Sequence, residues 1–174
     1  MAPLALFGIS ILMSLLSSSI AARLYIWPKL RVLDRNRALA WLVAPHMFVR
    51  FLGLSFLVTG VISASLPNAF SVPAVCGDAV AGLLAMIAAL ALESRASWAE
   101  AAVWVFNIWG AADLIFAFYR GKQGGLQPGE LGAAYYLVTA VVPVILVSHA
   151  LVFGLLLRRT RAAETSQIPS SSIS

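Results

Sequence analysis

Five long apolar stretches separated by short polar segments make up most of the chain, at residues 3–24, 38–66, 72–92, 98–119 and 131–157. A helix needs about 20 predominantly apolar residues to cross the hydrocarbon core of a bilayer, and each stretch has that length. The pattern predicts an all-α integral membrane protein, a bundle of five transmembrane helices in which a four-helix core carries an additional N-terminal helix. No repeat of fixed period and no soluble domain boundary interrupts it, so residues 1–161 read as a single transmembrane helical domain. Residues 162–174 are polar and serine-rich and read as a disordered C-terminal tail.

Helix ends follow from local signals. Ser97, Trp98, Ala99 and Glu100 read as a capping box that opens the fourth helix, which gives Glu100 a structural role. Pro128, Gly129 and Glu130 suit the first turn of the fifth. Pro45 either opens the second helix or kinks a longer one that begins near Asn36, and both choices leave His46 close to the membrane interface. Pro143 frees the carbonyl of Thr139 and bends the fifth helix. In the first helix Ser19, Ile20 and Ala21 offer a cleavage pattern, but the basic start of a signal peptide is missing.

Composition agrees with the periodicity. Hydrophobic residues make up 61% of the 174 and charged residues 11%, with a mean hydropathy of +0.91, more apolar matter than one water-soluble core hides. The net charge of +5 does not point to nucleic acid, because the basic residues lie between the spans, where they orient the protein and meet anionic lipid. Arg23, Lys29, Arg31, Arg35, Arg37, Arg95, Arg158, Arg159 and Arg161 fall on one side, Arg120 and Lys122 on the other. This bias predicts a multi-pass membrane protein with its N-terminus outside and its C-terminus cytoplasmic. The single cysteine, Cys76, forms neither an internal disulfide nor a thiolate metal cluster and reads as a small hydrophobe.

Against this background Arg50 stands out as the one charge between residues 38 and 72. A charge at mid-bilayer depth costs roughly 2.5 to 3.5 kcal/mol on insertion scales, so it marks an interior site with a partner. Helical spacing puts His46, Arg50, Gly53, Leu57 and Gly60 on one inward face, and Asn107, Gly110 and Asp113 on an inward arc of the fourth helix. Asp78, Gly82, Ala85 and Ala89 form a small-residue contact stripe, with Asp78 at its outer end. Tyr135, Thr139 and His149 share one side of the fifth helix, and Ser10, Ser14 and Ser17 form a packing face on the first. Alternating helix directions place His46, Arg50, Asn107 and His149 in the inner half and Asp78 and Asp113 in the outer half. Arg50 and Asp113 then pair, each making the other tolerable in a low dielectric.

The candidate ligand-binding residues are therefore Arg50, Asp113, Asn107, His149, His46 and Asp78, with no metal site and no catalytic residue or cofactor identified. The leading expectation is an interior polar site that binds or carries a small apolar molecule with a polar head, a lipid, quinone or terpenoid. The alternatives are a membrane-embedded enzyme using Asp and His acid–base chemistry, a haem b protein with His46 and His149 as axial ligands, and a noncatalytic accessory subunit. Partners would be membrane lipids and such a ligand; a membrane-protein partner or a second copy of the chain stays open.

The run Arg50, Phe51, Leu52, Gly53, Leu54, Ser55, Phe56, Leu57, Val58, Thr59, Gly60 resembles the opening helix of DoxX-like bacterial membrane proteins, which carry an arginine, a glycine, a phenylalanine and a second glycine. Where that family often has a lysine shortly afterwards, this chain has Val61, Ile62 and Ser63. Asn107 with Gly110 and Asp113, and Pro143 with His149, also resemble patterns in small bacterial membrane proteins. The resemblance implies a four-helix bundle over helices two to five, a bacterial inner membrane and a link to redox or quinone metabolism.

Overall fold

A computed structural model describes residues 2–166, with side chains as far as Arg158. Among the described residues five helices are long and apolar enough to cross a membrane: α1 (Pro3–Leu30), α2 (Arg35–Leu57), α3 (Asn68–Glu93), α4 (Ala99–Gln123) and α5 (Ala134–Arg158). No strand occurs among the described residues. Helical backbone continues beyond α5 to Ser166; of the polar tail expected from residue 162, residues 167–174 lie outside the described residues.

Several ends differ from the sequence reading, and the differences set the depth of the polar residues. The Asp34 carboxylate caps α2 by accepting from the Arg37 amide at 3.4 Å. The helix bends at Ala44 and Pro45 rather than starting there, and from Arg50 it tightens into a 3-10 helix that stops at Leu57, well short of residue 66. Three residues per turn stack Arg50, Gly53 and Phe56 on one buried line. Leu57, expected on that face, is exposed, and Gly60 lies beyond the helix in a turn at φ +90°. α3 starts at Asn68, a full turn before residue 72, so Asp78 sits about 15 Å along its axis rather than near its end.

Proline effects are answered locally. Pro73, inside α3, frees the carbonyl of Ala69, which accepts from Arg120 of α4 at 2.5 Å. A π-helical turn at Leu137–Val141 precedes Pro143, and Ser14 of α1 donates to the carbonyl of Ala140 within it at 3.2 Å. Pro128 belongs to a separate 3-10 turn, Pro128–Leu131, boxed by Gln127 and Glu130, so α5 opens only at Ala134. The expected box at Ser97 does not set the start of α4, which begins after Trp98. Glu100 instead accepts both terminal nitrogens of Arg35, at 2.8 and 3.0 Å, while Arg35 reaches the carbonyls of Leu155 and Leu156. That cluster ties α2, α4 and α5 at the end opposite the chain's start.

Two apolar clusters lie along the bundle. Leu39, Val43, Ala85, Ala88, Val103, Phe106, Val152 and Leu156 fill the end near Arg35, where the alanines of α3 let its neighbours approach closely. Phe56, Leu66, Val75, Leu131 and Ala134 fill the other. α1 buries no residue over Pro3–Ala21 and leans on α5 through Ser10, 3.2 Å from the Tyr135 hydroxyl, and Ser14. Ser17, expected on the same face, bonds to the Ser14 carbonyl of its own helix.

Candidate functional site

Between the two apolar clusters, the arginine of α2 gathers side chains from three other helices. Nη1 of Arg50 donates to Asp78 Oδ1 at 2.7 Å and to Asp113 Oδ2 at 3.2 Å, and Nη2 donates to the carbonyl of Gly110 at 2.5 Å and meets His149 Nε2 at 2.9 Å. The Arg50 side chain is fully buried, and the two carboxylates are nearly so, at 16% and 11% exposure. The expected pair with Asp113 is present. Asp78, placed by the sequence reading at the outer end of a contact stripe, supplies the shorter bond, because the earlier start of α3 lowers it to the level of Arg50.

The partners of Arg50 are themselves held. An arginine only donates, so His149 Nε2 accepts and Nδ1 carries the proton, which goes to Asn107 Oδ1 at 2.7 Å. Asn107 completes the loop by donating Nδ2–H to the His149 carbonyl at 3.2 Å. Both residues are buried, Asn107 at 0% and His149 at 1% exposure. His46, expected near the interface, is also buried at 2%, because α2 begins at Arg35 and carries it about 16 Å along the helix axis. Its ring lies 4.6 Å from that of His149 and 5.0 Å from Phe106. Ser148 donates to the Leu42 carbonyl, so His46 Nε2–H donates to Ser148 at 3.1 Å, leaving Nδ1 without a partner among the described residues.

Glycines make this density of side chains feasible. A Cβ on Gly53 would overlap the Asp78 carboxylate, one on Gly77 the Asp113 carboxylate, and one on Gly110 both the His149 ring and Arg50 Nη2. Each charged group thus lies against bare backbone of the helix opposite it. Gly53 and Gly110 stand on the inward faces read from the sequence; Gly77 was not among them.

The two carboxylates close one end of an apolar cavity of about 440 Å³. Phe56, Phe70, Leu114, Leu137 and Ile145 are among its walls, Phe7 of α1 contributes a side, and Lys122 and Gln127 stand at the end nearer the chain's start. Of the six candidate residues, only Asp78 and Asp113 line it; Arg50, Asn107, His149 and His46 lie behind them. Among the described residues no three His, Cys, Asp or Glu side chains converge as metal ligands. The pair His46 and His149 does not fit a haem: the rings touch, leaving no slot for a macrocycle between them, and both nitrogens of His149 are already bonded.

Fold and site together define a five-helix bundle built around a buried arginine–carboxylate cluster that floors an apolar cavity. The chain belongs to a family described as a domain of unknown function, DUF8737, whose model matches residues 6–157. No curated protein and no solved structure matches it.

Proposed function

We propose that this protein sits in a bacterial inner membrane and holds a small apolar molecule with a polar head, of the lipid, quinone or terpenoid kind, inside the bundle. The observation that carries the reading is the cavity of about 440 Å³, apolar along its walls and ending on Asp78 and Asp113. Ligand sites combine an apolar lining with a few fixed polar groups in this way. The five apolar helices and their exposed flanks, such as Leu12, Met13, Leu83, Leu90 and Ile115, support insertion in a bilayer. The excess of Lys and Arg at the Arg35 end supports a cytoplasmic location for that end, with the N-terminus and the cavity's Lys122 end outside. Kinship with DoxX-like proteins rests on the Arg50, Gly53, Phe56, Gly60 run.

The test is native mass spectrometry of the protein extracted mildly from its host membrane, beside Ala117→Trp, which fills the cavity from α4 without replacing any residue of the Arg50 cluster. The expected result is a small-molecule adduct on the wild type that the variant lacks. A bare wild-type chain, or an adduct that survives Ala117→Trp, overturns the reading.

A further inference from the structure

The chemistry of the cavity floor also restricts the head of the molecule it takes, an inference that rests on the binding role just proposed. All four terminal N–H groups of Arg50 are committed, to Asp78, Asp113, Gly110 and His149. None of these four is left to meet an anion or a carbonyl, and the fifth, Nε–H, which has no partner among the described residues, is buried on a residue that does not line the cavity. What remains open is acceptor capacity: each aspartate spends one oxygen on Arg50, and among the described residues no donor reaches Asp78 Oδ2 or Asp113 Oδ1. Both carboxylates keep some exposure, 16% and 11%, and both line the cavity, whereas Arg50 is closed off behind them. Charge points the same way, since one guanidinium faces two carboxylates and the ionised cluster carries a net negative charge.

From this geometry we infer that the cavity selects molecules whose polar head donates hydrogen bonds, an ammonium or a hydroxyl on an apolar body, over heads that only accept or carry negative charge. An ammonium, with three N–H groups, carries enough donors for a free oxygen on each of Asp78 and Asp113, and a hydroxyl, with one O–H, donates to one of them. A carboxylate or phosphate head meets two like charges with no donor to offset them. A head with acceptors alone, such as a quinone carbonyl or an ether, leaves the carboxylate oxygens unpaired in a low-dielectric end of the cavity.

The experiment compares four probes that share one decyl chain: decylamine, decanol, decanoate and decyl methyl ether, each titrated against the purified protein in nanodiscs and scored by native mass spectrometry. The expected result is that decylamine and decanol bind at least about tenfold more tightly than decanoate and the ether, which is what one hydrogen bond to a charged group amounts to. Decylamine leading decanol identifies the charge as the deciding feature, and parity identifies donation. Asp78→Asn and Asp113→Asn, which keep the side-chain shape, should each reduce the preference for decylamine. Equal binding of all four probes, abolished by Ala117→Trp, overturns the donor rule and leaves the cavity reading standing. Tighter binding of decanoate overturns the rule outright. Binding of none overturns both.

Discussion

Arg50 is the residue on which the interior depends. Its removal leaves two carboxylates facing each other in a site with 16% and 11% exposure, and orphaning a buried charge costs about 3 to 5 kcal/mol. Arg50→Leu should therefore lose several kcal/mol of stability in a denaturant titration followed by circular dichroism. Arg50→Leu combined with Asp78→Asn and Asp113→Asn should recover much of that loss, and a triple variant no better than the single one contradicts the ion-pair account. The glycines give a paired test with opposite signs. Gly110→Ala drives a methyl into the His149 ring and the Arg50 guanidinium and should cost roughly 1 to 3 kcal/mol. Gly8→Ala, on the open face of α1 with nothing within 4 Å, should gain about 0.5 to 1 kcal/mol of helix propensity. At this scale the sequence was informative: a lone arginine in an apolar span needs a partner, and Asp113 on the inward arc of α4 met that need. Asp78 lies deeper than a span read from residue 72 puts it, because α3 opens a turn earlier, at Asn68. The role of Gly77 depends on how α3 and α4 meet, which no spacing within one helix displays.

Helices, as elements, were legible in number and near their centres, and their ends were not. Hydropathy over some twenty residues fixes a span, but a local rearrangement of one turn does not alter it. The tightening of α2 after Arg50 and its stop at Leu57 have no compositional mark, since residues 58–66 remain apolar or small. The box predicted at Ser97 failed for a different reason: Glu100 has a stronger use in bonding Arg35 across helices than in capping its own. One end offers a direct test. α3 closes with Arg95 at φ +52°, its amide donating to Leu92 and that of Ala96 to Ala91, the two bonds of a Schellman close with an arginine where glycine is favoured. Arg95→Gly should raise stability by about 1 kcal/mol in the same titration, the relief of a left-handed conformation at a residue bearing a Cβ. An unchanged or lower stability contradicts that description of the turn.

As a whole, the molecule places its charges in a layer between two apolar clusters and opens that layer to one end through the cavity. The closed side, behind Arg50, is rigidified by the Asn107–His149 loop of hydrogen bonds and by Arg35 with Glu100; the open side is walled partly by α1, the least buried helix. A molecule seated in the cavity touches all five helices, so its binding free energy adds to the stability of the bundle. A ligand that binds only the folded form at about 100 times its dissociation constant contributes about 2.7 kcal/mol. The central claim is thus tested by the thermal unfolding of wild type and Ala117→Trp, each measured after mild extraction, after exhaustive exchange into synthetic lipid, and after return of the host's extracted small molecules. The wild type is expected to lose thermal stability on exchange and regain it on return, while the filled variant responds to neither step. Equal responses of the two proteins would show that lipid surroundings alone set the stability, and would contradict an occupied cavity.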